Sequence, residues 1–356
     1  MTPRERVLTV LEHEKPDRVP LDCLDIMPRL LPELKKYYNA KNKQELMLKM
    51  GIDIVTVAMD PPKGFKRINF PEPKEYWWLD SFGVTQMDEW GIKVKPTGEG
   101  EYWVFSYHPL QKAENLEELK PPNLDLPDRW NHVKLAVERY SKDYLVAGMM
   151  EATLFEHAQQ LRGYKEFFKD LYVNKKFASE LLDKLLEYKI KMARKFKEFG
   201  VDIIRLGDDI GMQTGMIISP AIWREFFKPR MKELIDEIKK GRNIYVYYHS
   251  DGYIEPVIPE LIEIGVDILN PIQPDCMDPV KIKKLYGDVL TLHGTISVQE
   301  TLPFGTTENV RNTVIERIEK LGKDGGLILA PSHVIGSEVP VNNVITLYET
   351  AKAYKI

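Results

Sequence analysis

Cysteine is scarce in this chain, since only Cys23 and Cys276 occur among its 356 residues. Two thiols cannot build a disulfide framework, and no Cys-x-x-Cys spacing offers the ligands of a structural zinc site. The sequence also lacks a run of about 18 apolar residues, and residues 1–20 lack the apolar core of a signal peptide. We therefore expect a cytoplasmic protein that has no membrane partner.

The chain has no excess of positive charge. Its 50 Lys and Arg residues are balanced by 54 Asp and Glu residues, which gives a formal net charge of −4. This balance excludes a nucleic-acid binder that relies on overall positive charge. With 43% hydrophobic and 29% charged residues, the composition is typical of a soluble globular protein that buries a large core.

Short apolar segments alternate along the chain with longer segments of helical periodicity, of which Ala178–Phe199 is an example. Such short segments, without strict alternation, are typical of parallel strands that are covered on both faces. No Gly-x-Gly-x-x-Gly follows any of them, which disfavours a doubly wound dinucleotide fold. We predict a single (β/α)8 TIM barrel over residues 1–356. Its eight strands are Val19–Leu24, Ile52–Ala58, Tyr144–Met150, Val201–Leu206, Ile244–His249, Val266–Asn270, Val289–His293 and Gly326–Ala330.

Residues 60–121 depart from this alternation because they are rich in proline and aromatic residues. We interpret them as a β-hairpin insertion between the second and third strands, lying over one mouth of the barrel. A packed surface excursion without a role at the site is an equal alternative. The aromatic residues of this stretch are Tyr76, Trp77, Trp78, Trp90, Tyr102, Trp103 and Tyr107.

Ionisable side chains follow several of the predicted strands. Barrel enzymes carry their chemistry at the carboxyl ends of the strands, so these side chains are candidates for the active site. Glu151, Asp208 and Asp209 follow the third and fourth strands, and His249 ends the fifth. We predict that these four are catalytic, as groups that orient a substrate or transfer a proton. We predict further that Met150, Arg205, His293 and Trp90 bind the substrate.

His249 and Asp251 are two residues apart, and Gly252 allows the backbone to turn directly after them. His333 follows the last strand and is expected at the same rim. Imidazole nitrogen and carboxylate oxygen are ordinary zinc ligands, and a catalytic zinc site needs only three protein ligands. The three residues therefore predict a zinc site. The alternatives are a set of hydrogen-bonding groups that hold a substrate carboxylate or phenol, and a purely structural role.

Several short motifs occur in a fixed order along nearly the whole chain. They are Met1–Val7, His13–Pro20, Gly207–Gly211, Ile218–Pro220, His249–Gly252, Gly265–Asp267, Asn270–Pro271 and Leu329–His333. Together they resemble the uroporphyrinogen decarboxylase superfamily, and most of all its corrinoid-dependent methyltransferases. The resemblance implies a (β/α)8 barrel, in agreement with the strand count.

Two differences between this sequence and members of the superfamily restrict the activity that the resemblance implies. True decarboxylases of the superfamily carry an Arg-rich segment that binds the substrate's carboxylates, whereas the matching segment here, Leu24–Arg29, lacks it. Thiol-methylating relatives bind zinc through a His-x-Cys motif and a late Cys, whereas this chain has Asp251 and His333 at the two Cys positions. Such an oxygen-rich site favours members that demethylate methyl ethers.

For these members the resemblance implies transfer of a methyl group from a small methylated substrate to cob(I)alamin on a partner corrinoid protein. Zinc or a protonated side chain would stabilise the leaving oxygen. The chain itself has no Asp-x-His-x-x-Gly corrinoid signature. A homodimer is compatible with the sequence. The direction of methyl transfer stays open, so a transferase that moves a methyl group from a methylcorrinoid to an acceptor is one alternative. Another is a cofactor-free decarboxylase that uses Asp208 or Asp209 with Arg205 or Arg162, and a non-catalytic ligand-binding barrel is the third.

Overall fold

A curled parallel sheet of seven strands forms the centre of the molecule, with the strand order β1-β4-β5-β6-β7-β8-β9. The computed structural model describes residues 1–62, 87–97, 102–150 and 152–356. The architecture is a TIM-barrel-like α/β fold. The strands of the sheet are β1 (Ile54–Val57), β4 (Leu145–Met149), β5 (Ile203–Gly207), β6 (Tyr245–His249), β7 (Ile268–Asn270), β8 (Thr291–His293) and β9 (Leu327–Ile328).

The first predicted strand, Val19–Leu24, forms isolated bridges and not a strand. Leu21 pairs in parallel with Ile52 on one side and with Leu329 on the other. The carbonyl of Leu21 accepts a hydrogen bond from the Asp53 N–H at 2.8 Å, and the carbonyl of Pro20 accepts one from the Leu329 N–H at 2.9 Å. Proline has no N–H to donate, which shortens the ladder here. The segment nevertheless hydrogen-bonds next to both edge strands of the sheet.

Helices cover the outside of the sheet, and their ends follow from local sequence. The longest, α7, begins after Asn174, whose side chain accepts the Phe177 N–H, and ends at Gly200 in the left-handed region with φ 94°. No helix of the described residues is both long and apolar enough to span a membrane. The helices are α1 (Pro3–Leu11), α2 (Leu31–Tyr37), α3 (Lys43–Met50), α4 (Asn131–Tyr140), α5 (Phe155–Arg162), α6 (Tyr164–Val173), α7 (Lys175–Phe199), α8 (Pro220–Ile222), α9 (Lys228–Lys239), α10 (Ile258–Glu263), α11 (Pro279–Tyr286), α12 (Thr301–Phe304), α13 (Thr307–Arg317) and α14 (Val341–Ala353).

Two separate apolar cores lie on the two faces of the sheet. The large core fills the space between the sheet and the helices. A smaller cluster is formed by alternate strand residues, because successive side chains of a strand point to opposite faces. We call it the inner apolar layer, and its buried strand residues are Ile54, Leu145, Ala147, Ile203, Tyr247, Ile268 and Ile328. The side chains two positions further along several strands belong to the site described below.

Within residues 60–121, the part that the structure describes contains one antiparallel pair of strands, β2 (Lys93–Thr97) and β3 (Tyr102–Tyr107). The predicted aromatic residues Tyr76, Trp77 and Trp78 lie outside the described residues. A position of this stretch over the barrel mouth stays a prediction.

Candidate metal and active site

Three potential metal ligands converge at the carboxyl ends of the strands. His249 is the last residue of β6, Asp251 follows it, and His333 lies in the segment after β9. The Nε2 atom of His249 lies 3.8 Å from Oδ1 of Asp251, and Nε2 of His333 lies 3.7 Å from Oδ2 of Asp251. One ligand atom from each residue lies within 4.8 Å of the other two. We call these three residues the ligand cluster.

Close backbone contacts hold the loops that carry the cluster. Gly252 has φ 81°, and a Cβ atom added there would lie 2.6 Å from the carbonyl carbon of Gly211. The Tyr253 N–H donates to the Met212 carbonyl at 2.7 Å. The loop after β6 is thus packed against the loop after β5, which glycine permits because it has no side chain.

The segment that carries His333 is held by its neighbouring residue. The Ser332 N–H donates to the Ile296 carbonyl at 2.7 Å, and the Ser332 hydroxyl accepts the Val298 N–H at 3.2 Å. These bonds connect the loops after β8 and β9. His333 itself is 44% exposed at its side chain, so the cluster faces solvent on this side.

Asp209 lies beside the ligand cluster. Its Oδ1 atom accepts the Asp251 N–H at 2.9 Å and lies 3.5 Å from Nε2 of His249. Burial raises the pKa of the Asp251 carboxyl, His333 and His249 lower it, and the carboxylate of Asp209 raises it. Two carboxylates next to two imidazoles form a group that a cation would stabilise.

A buried series of hydrogen bonds runs from His249 into the interior of the sheet. The Nδ1 atom of His249 lies 2.5 Å from Oδ1 of Asn270, and Nδ2 of Asn270 lies 2.7 Å from Nδ1 of His293. Nε2 of His293 lies 3.0 Å from Oδ2 of Asp22, which also forms an ion pair with Arg205. We call these five residues the polar relay. All of them are less than 7% exposed.

The relay contains two residues that sequence reasoning missed as site residues, Asp22 and Asn270. Asn270 ends β7, so the strand-end argument that selected His249 could have selected it too. Asp22 belongs to the segment that was predicted as the first strand. Burial opposes its ionisation, but Arg205 and His293 outweigh burial and lower the pKa of Asp22. Arg205 and His293, predicted to bind substrate, are therefore engaged with Asp22.

Asp208 is not part of the ligand cluster. Its carboxylate accepts the backbone N–H groups of Leu154 at 3.0 Å and Glu156 at 3.1 Å. These donors lie at the start of α5, where N–H groups have no partner within the helix. Burial raises the pKa of Asp208 to about 6, although these N–H groups lower it. The carboxylate caps a helix, and its predicted catalytic role stays a prediction.

Two of the remaining candidates, Met150 and Trp90, lie among the described residues. Met150 is 1% exposed and belongs to the large core on the helix side of the sheet. Trp90 packs edge-to-face against His157 and Tyr188, with ring centroids 4.4 and 4.8 Å away. Glu151 lies outside the described residues.

A small apolar cluster lies at the carboxyl end of the sheet. It contains Met149 of β4 and not Met150, because the two neighbours point to opposite faces. Its other members are Leu24, Ala58 and Val334. We call these four residues the apolar wall.

The donor set of the ligand cluster fits zinc. Zinc bonds of about 2.0–2.2 Å in a tetrahedral site put neighbouring ligand atoms roughly 3.4 Å apart. Each histidine lies 3.7 or 3.8 Å from one oxygen of Asp251, and with one atom from each residue the three lie within 4.8 Å of one another, so the side chains would move closer together around the ion. Nitrogen and oxygen donors suit zinc, and the ligand cluster contains no thiolate that would select a softer metal.

Residues 2–354 match the sequence model of the family described as uroporphyrinogen decarboxylase (URO-D). The chain belongs to the URO-D family. Among solved structures, this URO-D member is similar to a methyltransferase from Methanosarcina mazei, with 22% identity and a TM-score of 0.70 over 99% of this chain and 98% of that one.

A second similar structure is a B12-independent methionine synthase from Shewanella sp. W3-18-1. It has 12% identity and a TM-score of 0.51 over 95% of each chain. No curated protein matches the URO-D member in sequence. At these identities the two structures show that the fold is shared.

Proposed function

We propose that this URO-D family member is a corrinoid-dependent methyltransferase. It takes a methyl group from a small methylated compound, with a methyl ether favoured, and delivers it to the corrinoid of a separate carrier protein. The observation that carries the proposal is the ligand cluster, whose candidate ligand atoms lie within 4.8 Å of one another. The fold shared with the Methanosarcina mazei methyltransferase supports it.

The ligand cluster gives each residue a role. His249, Asp251 and His333 would hold zinc, with the fourth position free for the substrate oxygen. When bound, zinc supplies a Lewis acid for the oxygen of the methyl–oxygen bond. Asp209 lies next to His249 and is 37% exposed at its side chain. It is the described acid best placed to return a proton to the oxygen once the methyl group has left.

The apolar wall suits a neutral methylated compound. Leu24, Ala58 and Met149 present aliphatic groups at the same end of the sheet as the ligand cluster. Burial of an aryl or alkyl group there stabilises binding by about 25 cal/mol per Å² of apolar surface. The methylated part of the substrate thus lies against the wall, and its oxygen faces His249.

The cations expected for a decarboxylase are engaged elsewhere. Arg205 forms a buried ion pair with Asp22. Arg162 bonds Asp170 at 2.7 Å and is also buried. Both guanidinium groups are thus paired with carboxylates of the chain itself, which favours a methyl donor over a carboxylic acid.

The carrier protein supplies the corrinoid in this proposal. The sequence contains no Asp-x-His-x-x-Gly signature for holding a corrinoid within the same chain. The acceptor must therefore come to the open, carboxyl end of the sheet, where His333 and Asp209 are partly exposed.

The test is methyl transfer to cob(I)alamin, followed by the absorbance of methylcobalamin, with a panel of methyl ethers and methylamines. His249→Ala should abolish transfer. The matched control is His132→Ala, which removes a histidine that is 75% exposed and contacts Asp60. Release of carbon dioxide without a corrinoid would indicate a decarboxylase, and no turnover with bound ligand would indicate a binding protein. Either result would overturn the proposal.

A further inference from the structure

We infer that the polar relay fixes the tautomer of His249. In this tautomer the proton is on Nδ1, and Nε2 presents its lone pair to the ligand cluster. Asn270 is then a positioning residue for metal binding, and Asp22 sets the direction of the hydrogen bonds. The inference rests on the proposed metal site and concerns how this chain prepares one of its ligands.

The direction of the relay starts from Asp22. An ionised carboxylate only accepts hydrogen bonds, and the guanidinium of Arg205 only donates them. Nε2 of His293, 3.0 Å from the Asp22 carboxylate, must therefore donate its proton. A neutral imidazole carries one proton, so Nδ1 of His293 is left as an acceptor.

The donor and acceptor of the next two hydrogen bonds, both made by Asn270, follow from this assignment. An acceptor at Nδ1 of His293 requires the amide nitrogen of Asn270, which lies 2.7 Å away. The amide oxygen of Asn270 then faces Nδ1 of His249 at 2.5 Å. An amide oxygen is an acceptor, so Nδ1 of His249 must carry the proton. In the neutral ring, which carries one proton, Nε2 of His249 keeps its lone pair.

Charge and burial keep His293 neutral. Arg205 already balances the charge of Asp22, so a second cation would be buried without a partner charge. Burial lowers the pKa of His293 in the same sense, against the opposing effect of Asp22. Asn270 and His293 are each 1% exposed, so solvent water does not substitute for either bond.

Two carboxylates lie near Nε2 of His249 and act against the tautomer that the polar relay favours. Asp209 and Asp251 lie 3.5 and 3.8 Å from Nε2 of His249. In a metal-free site these two carboxylates alone would favour a proton on Nε2, where it could bond to them. The relay acts in the opposite sense, and it holds the ring in the form that metal binding requires.

The first test observes the tautomer of His249 in the wild-type protein, so it does not depend on the stability of a variant. Metal-free protein labelled with ¹⁵N-histidine is observed by NMR, and the His249 signals are assigned by their loss in His249→Gln. We expect a protonated Nδ1 and a bare Nε2. A proton on Nε2 would overturn the inference, whether or not the protein binds zinc. Failure of the wild-type protein to bind zinc would overturn the proposed metal site instead.

The second test compares two substitutions of similar size at Asn270. Asn270→Leu removes the acceptor for His249 and should weaken zinc binding about 10- to 100-fold in a chelator competition. Asn270→Asp keeps an oxygen acceptor facing Nδ1 of His249. Its carboxylate cannot donate to Nδ1 of His293, which would take up a proton between two carboxylates, so the variant should retain zinc affinity within a few fold. Equal losses in both variants would indicate a packing role, and no loss in Asn270→Leu would show that the relay does not act on the metal. Both results would overturn the inference.

Discussion

Replacing Asp208 tests whether this buried carboxylate stabilises the fold or takes part in the reaction. Its oxygens accept the N–H groups of Leu154 and Glu156 at 3.0 and 3.1 Å. In Asp208→Ala both donors lose their acceptor, and each buried loss costs about 1–3 kcal/mol. We therefore expect the free energy of unfolding to fall by about 2–6 kcal/mol, above the typical cost of about 1 kcal/mol for a lost helix cap.

The pH dependence of stability gives an independent measurement of the same carboxyl. Its pKa is raised from 3.8 to about 6 by burial in the folded state. The folded protein thus binds this proton more tightly than the unfolded chain, and stability declines as the pH rises from about 4 to about 6. A shift of this size amounts to about 3 kcal/mol. Asp208→Asn does not titrate, so its stability relative to the parent rises across this window.

Urea denaturation between about pH 4 and about pH 7 measures both effects. Asp236→Asn is the matched control, because Asp236 is 61% exposed and pairs with Lys232 on one helix. Methyl transfer is assayed in parallel under conditions where each variant is folded. If Asp208→Ala matches the parent in stability while Asp208→Asn has lost methyl transfer, Asp208 acts in the reaction and the capping argument is refuted.

Three further predictions concern the mouth of the barrel. Met149→Ala should mainly raise KM for an apolar substrate, whereas Met150→Ala should lower the free energy of unfolding by about 2–5 kcal/mol. If the two variants have equal effects on KM and on unfolding, the two side chains do not point to opposite faces of the sheet. Gly252→Ala forces a side chain onto a backbone with φ 81° at a cost of about 1–3 kcal/mol and should weaken zinc binding in equilibrium dialysis. Gly215→Ala, with no atom within 4 Å of the added Cβ, should leave zinc binding unchanged. Zinc at about 100 times its Kd should raise the free energy of unfolding by about 2.7 kcal/mol in calorimetry, and Asp251→Asn should remove this gain; an unchanged stability of the parent would argue against a metal site.

The sequence predicted the α/β alternation and the neighbourhood of His249, Asp251 and His333, because strand ends in such a fold meet at one rim. It did not reveal which of Met149 and Met150 faces the interior. A parallel strand covered on both faces is apolar on both, so its letters carry no signal of orientation.

Other features depend on contacts between distant segments. The capping role of Asp208 depends on where the loop before α5 lies, and no local pattern around residue 208 encodes that position. Asp22 could not be predicted as a site residue either. It lies in the one predicted strand that is reduced to bridges around Pro20 and Leu21. Its place in the polar relay is evident only from the contacts that Arg205 and His293 make with it in the structure.

The inner apolar layer lies beneath the polar relay and contains side chains such as Ile203, Tyr247 and Ile268. Under the proposed function, reactants and products would therefore share an entrance at the carboxyl end of the sheet. A carrier protein seated on that entrance would block the path of a small molecule behind it. The kinetics of transfer should therefore be ordered, with the methylated compound entering before the carrier docks and the demethylated product leaving only after the carrier departs.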